Sequence, residues 1–124
     1  MSWLPLLWVA LAGSGGAVAR FIVDGVVRSR FGRRFPLGTV TINVTGSLLL
    51  GVLTGVVLFH HQPSLWTTVG GTGFCGGYTT FSTASFETVR LMQARDYRLA
   101  LLNGGGTLVL TVGAGAVGLV IGHA

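Results

Sequence analysis

The sequence contains no lysine, a single cysteine, and only three carboxylate side chains, Asp24, Glu87 and Asp96. Charged residues make up 9% of the 124, against about 25% in an average soluble protein. Half the chain is hydrophobic and 21 more residues are glycine, so a soluble domain of this length would expose large apolar patches. The hydrophobicity excludes disorder, and the lack of a Gly-X-Y period excludes collagen. The length allows one domain. Cys75 cannot close a disulfide within the chain and has no ligand residues near it in sequence. His60-His61 stands far from Cys75 in sequence, so no catalytic set emerges and no enzyme is expected. The glycine runs lack a following GK[ST], which removes the nucleotide-loop reading.

What remains is a chain dominated by four apolar stretches, at residues 3–27, 37–59, 65–87 and 99–121. At about 23 residues each, or roughly 34 Å as helix, they are long enough to cross a bilayer. Transmembrane strands would alternate in polarity, and these runs are continuous. The expectation is an all-α membrane protein, one domain over residues 1–124 with four transmembrane helices. Ala10-Leu11-Ala12 resembles a signal-peptide cleavage site, but nothing basic precedes it and the apolar run continues past it. No soluble extension is expected at either end.

Arg28, Arg30, Arg33 and Arg34 separate the first two stretches, and Arg90, Arg95 and Arg98 the last two. The middle connection, His60-His61-Gln62-Pro63-Ser64, has no arginine. The positive-inside rule therefore places the arginine loops in the cytoplasm and both termini outside.

Polar residues inside the apolar stretches carry the functional signal. Arg20 and Asp24 are four apart and share a helix face. They read either as a pair near the helix end, the arginine snorkelling, or as charge in an anion-attracting vestibule. Thr39, Asn43 and Ser47 form a polar stripe on the second stretch. The Asn43 amide either binds a neighbouring helix or lines a water-filled path. In the third stretch, five glycines in residues 70–77 followed by Thr79-Thr80 make poor continuous helix. A helix broken there survives only if buried in protein or lining an ion site; close helix packing is the other reading. Thr107 and Thr111 share a face of the fourth stretch and, with Glu87, form a candidate polar track. Threonines also bond their own backbone.

Gly15-Gly16-Ala17-Val18-Ala19-Arg20-Phe21, Gly38-Thr39-Val40-Thr41-Ile42-Asn43-Val44-Thr45-Gly46-Ser47 and Gly73-Phe74-Cys75-Gly76-Gly77-Tyr78-Thr79-Thr80-Phe81-Ser82-Thr83, followed by Glu87, resemble the CrcB/Fluc fluoride channels. The resemblance runs through all four stretches in order, and its third motif is highly specific. It implies a four-helix subunit that dimerises antiparallel, with two fluoride pores and a central sodium ion, Na+, held by backbone carbonyls at the helix break. It assigns Asn43, Phe81, Thr39, Ser82 and Thr83 to the fluoride pore, Arg20 to a vestibule, and the Gly76 and Thr79 carbonyls to sodium. Fluoride binds water tightly, so a pore must replace that water with donors: amide, hydroxyl and the positive edge of a phenylalanine ring. The chain departs from the pattern T-T-F-S-T-F, having Ala84 where a second phenylalanine often stands. Phe86 lies roughly 200° around the helix from that position.

The resulting expectation is a passive channel in the cell membrane that exports fluoride and reduces its toxicity. A proton-coupled exporter of small cations would need a membrane carboxylate, for which Glu87 is the only candidate. A non-conducting partner subunit is the third reading. The expected partners are fluoride, lipid, and a second copy or, given Ala84 and the arginine imbalance, an oppositely oriented paralogue.

Overall fold

The computed structural model describes residues 3–32 and 37–124, with the side chains of 81–83 excepted. Arg33 and Arg34 thus lie outside the described residues. Among the described residues every regular element is helical, without strands. The first two helices are α1 (Leu4–Phe31) and α2 (Leu37–Phe59). A π-wound segment (Thr67–Cys75) then runs into α3 (Gly76–Tyr78), followed by α4 (Phe81–Gln93). Last come α5 (Tyr97–Leu101), a second π-wound segment (Leu102–Gly106) and α6 (Thr107–His123). Three described helices are long and apolar enough to cross a membrane: Leu4–Phe31, Leu37–Phe59 and the rod Tyr97–His123.

Helix α1 carries proline in its first turn, where a missing N–H costs nothing. It stops at Gly32, whose φ of 81° lets its N–H turn back to the Arg28 carbonyl. Such a positive φ favours glycine. The arginine and aspartate four apart in α1 do not pair. Asp24 instead binds Arg28 one turn on, at 2.6 Å. That leaves Arg20 half-buried, with no ion pair among the described residues.

Glycine sets how closely the helices approach. A Cβ at Gly51 would strike the Gly115 carbonyl of α6, and one at Gly118 would strike the Leu48 carbonyl of α2. On the other side of the molecule, a Cβ at Gly16 would meet the Phe74 carbonyl, and one at Gly77 the backbone of Gly13. Lipid gives apolar surfaces little reason to associate, so such backbone contact is what holds membrane helices together. Large apolar side chains face outward instead: Phe21 is 81% exposed and Val109 71%. The buried set includes Ile42, Cys75 and Tyr78, together with the polar Thr39, Asn43, Thr80 and Asn103.

The third apolar stretch is split, but not where its glycines are densest. Residues 70–77 stay helical, and the backbone becomes extended at Thr79 (φ −80°, ψ 158°). Within this stretch Gly73 and Gly77 press against α1, and Gly70 and Gly71 against the Leu53 and Leu50 side chains of α2, contacts that need the missing side chains and keep the segment packed as helix. The break comes from competition for the next N–H. That of Thr80 goes to the Asn43 side chain at 2.9 Å, not back to the Gly76 carbonyl.

Candidate functional site

A groove of about 910 Å³ runs along the molecule between α2, the split third segment, α4 and the α5–α6 rod. Asn43, Gly76, Thr79, Ala84, Thr107 and Thr111 lie on its walls.

Asn43 is buried on α2 and meets the break with both ends of its amide. Its Nδ2 donates to the Thr80 carbonyl at 3.1 Å, and its Oδ1 accepts from the Thr80 N–H at 2.9 Å. A helix break in an apolar setting leaves backbone groups that must find partners inside the protein. Asn43 supplies a partner to each of the two backbone groups of Thr80. An amide nitrogen carries two hydrogens, and among the described residues the second Nδ2 hydrogen, beyond the one given to Thr80, has no acceptor. Of the two readings of Asn43, these bonds show the binding of a neighbouring segment, and the residue also lies on the groove wall.

Around the break, the Thr79 hydroxyl donates to the Cys75 carbonyl at 2.7 Å. Tyr78 and Thr45 share a hydrogen bond of 2.8 Å, and the Phe74 and Tyr78 rings stack at 5.8 Å. The extended Thr79 turns its carbonyl out of the helical ladder, and Gly76 has lost the donor an unbroken helix would supply. Hard carbonyl oxygens of this kind suit a hard cation. Among the described residues, no group of His, Cys, Asp and Glu is arranged to hold a metal ion.

Thr39 and Glu87 stand apart from the groove. Thr39 is buried, and its hydroxyl donates to Glu87 Oε1 at 2.6 Å, so its proton is committed to the carboxylate. Thr111 donates to the Leu108 carbonyl at 3.1 Å, the local back-bonding open to any helical threonine. Thr107 Oγ1 is buried without a partner among the described residues. The side chains of Phe81, Ser82 and Thr83 lie outside the described residues, although the first turn of α4 is formed there.

Sequence reasoning missed Asn103. It lies 1% exposed on the groove wall, donating from Nδ2 to Thr88 Oγ1 at 2.8 Å and to the Ala84 carbonyl at 3.3 Å. A signal was present: Asn103, Thr107 and Thr111 follow one another at helical spacing of four.

The family model described as CrcB-like protein, Camphor Resistance (CrcB), matches residues 7–122. The chain is 57% identical over 122 residues to Fluoride-specific ion channel FluC 1 of Leifsonia xyli subsp. xyli, covering 98% of this chain and 89% of that protein. It is 48% identical over 121 residues to Fluoride-specific ion channel FluC 2 of Cutibacterium acnes, covering 96% and 98%. It is 44% identical over 121 residues to Fluoride-specific ion channel FluC of Acidobacterium capsulatum, covering 97% of each. A match from residue 7 to residue 122 takes in every element that lines the groove, and the chain therefore belongs to the CrcB-like protein, Camphor Resistance (CrcB), family.

Proposed function

We propose that this chain is a subunit of a passive fluoride channel that releases fluoride from the cytoplasm. It is a multi-pass membrane protein and not an enzyme. The observation that carries the reading is the near-full-length identity to proteins named fluoride-specific ion channels. The groove adds a physical rationale. Fluoride sheds water only where donors replace it, and the free Nδ2 hydrogen of Asn43 is such a donor without being a full counter-charge that would trap the ion. Phe81, Ser82 and Thr83 join it in this reading, with Arg20 gathering anions at the mouth. Thr107 and Thr111 continue the polar wall, and Glu87 acts through Thr39. A negative-inside potential drives the anion outward by about 2.3 kcal/mol per charge per 100 mV.

The same reading takes the split segment 67–93 as the fourth crossing, with the arginine loops in the cytoplasm and the termini outside. The groove is open on one side, so a second, antiparallel subunit completes it. Sodium fits the Gly76 and Thr79 carbonyls of both subunits and would lock them together as a structural ion. The arginine imbalance and Ala84 favour a paralogue as the partner in cells. In detergent and liposomes both orientations are open to a purified chain, so an antiparallel pair of identical subunits can form there.

The test is efflux from liposomes holding the purified protein. Fluoride release without chloride release is expected. Proton-driven cation uptake would identify an exporter instead, and absence of any flux a non-conducting partner.

A further inference from the structure

Two asparagines hold the polypeptide on either side of residues 81–83. Asn43 grips Thr80 by both backbone groups. On the far side, Asn103 donates to the Ala84 carbonyl and to Thr88 Oγ1, and Thr88 itself donates to the Ala84 carbonyl at 2.9 Å. This second clamp ties α4 to the rod that follows it, through the widened turn Leu102–Gly106. Single π turns of this kind often mark functional positions.

The clamp is a poor device for stability alone. Among the described residues Asn103 Oδ1 is buried with no partner, and an unsatisfied buried acceptor is a cost that leucine, of similar size, does not carry. What the amide offers instead is direction, because its two N–H groups fix the first turns of α4 against the rod.

We infer that Asn103 is a positioning residue for the pore segment 81–83, acting through Ala84 and Thr88. Its consequence for transport rests on the channel reading above.

The test combines three measurements on Asn103→Leu, Thr88→Val and Thr88→Ser: melting temperature, liposome fluoride efflux per protein, and the fluoride-to-chloride ratio. Asn103→Leu should melt at or above the parent temperature while efflux falls about tenfold, the scale expected when the two neutral hydrogen bonds that orient the pore segment are lost. Thr88→Val should move the same way by less, the double variant should be no worse than Asn103→Leu, and Thr88→Ser should match the parent. Parent-level efflux and selectivity in Asn103→Leu and Thr88→Val overturn the inference. So does a loss of efflux that appears only with a lowered melting temperature. If Asn103→Leu does not fold, the Thr88→Val and Thr88→Ser pair decides on the same terms. If the parent itself moves no fluoride, the channel reading fails but the clamp is still decided. A 4-fluorophenylalanine at position 81 should then shift its fluorine resonance in Thr88→Val and not in Thr88→Ser, and an unmoved resonance in both overturns it.

Discussion

At the scale of single residues, the chain invests its rare buried polar groups in hydrogen bonds that shape backbone. Asn43 illustrates this, since it completes the Thr80 backbone and keeps one amide hydrogen in reserve. Asn43→Ala removes both bonds and the spare donor, at about 1–3 kcal/mol for each buried group left unpaired. Asn43→Asp still accepts from the Thr80 N–H but faces the Thr80 carbonyl with an oxygen, and its charge repels an anion in a low-dielectric path. Fluoride efflux should therefore fall in both variants, and further in Asn43→Asp; equal, parent-level rates would remove Asn43 from the mechanism. Phe81→Ile keeps bulk but loses the polarised ring edge. It should cut fluoride efflux strongly while the protein elutes from a sizing column as the parent does, whereas parent-like conduction would make the ring a packing group. Asp24 shows the limit of spacing arguments. Four residues separate it from Arg20 on one side and Arg28 on the other, and only the fold shows that it pairs with Arg28.

At the scale of elements, glycine decides what packs against what. On α2 and α6, side chains at Gly51 or Gly118 would collide with main-chain atoms that cannot move aside. Gly118→Ala should therefore destabilise the fold by about 1–3 kcal/mol, the usual cost of overpacking. Gly113, on the same helix with nothing within 4 Å of its missing Cβ, provides the control. Gly113→Ala should be neutral or stabilising by up to about 1 kcal/mol through helix propensity. Thermal unfolding in detergent separates the two, and equal melting temperatures would mean the α2–α6 contact is looser than drawn. The helical class was legible because continuous apolar runs leave a membrane chain few alternatives. The place of the break was not. Local propensity pointed at residues 70–77, but there Gly73 and Gly77 are packed against α1 and Gly70 and Gly71 against α2, and the interruption comes from Asn43, 37 residues away from Thr80. Asn103 escaped notice for a related reason: beside three glycines it resembles a turn, until the rod Tyr97–His123 carries it into the interior.

At the scale of the whole molecule, the distribution of charge makes the last prediction. An antiparallel pair of identical chains needs one sequence that inserts in both orientations, and so needs basic residues nearly balanced between the two faces. Here the two arginine-bearing connections hold Arg28, Arg30, Arg33 and Arg34, and Arg90, Arg95 and Arg98, while the segment His60–Ser64 holds none. Among the described arginines only Arg28 is neutralised by an ion pair, so the bias stands nearly undiluted. Orientation rules then send almost every copy in one direction, and an antiparallel partner must come from a chain with the opposite bias. Ala84 leads to the same conclusion independently. It places only a small residue on the groove wall, so a second aromatic ring in that pore would have to come from the partner. Expression in a fluoride-sensitive cell lacking its own channel tests this, with cysteines introduced near each terminus reporting their side of the membrane. Alone, this chain should rescue growth weakly, with termini on one face only, and co-expression with an oppositely biased paralogue should restore it. Full rescue by this chain alone, with termini found on both faces, would show that short arginine loops tolerate inversion and that no paralogue is needed.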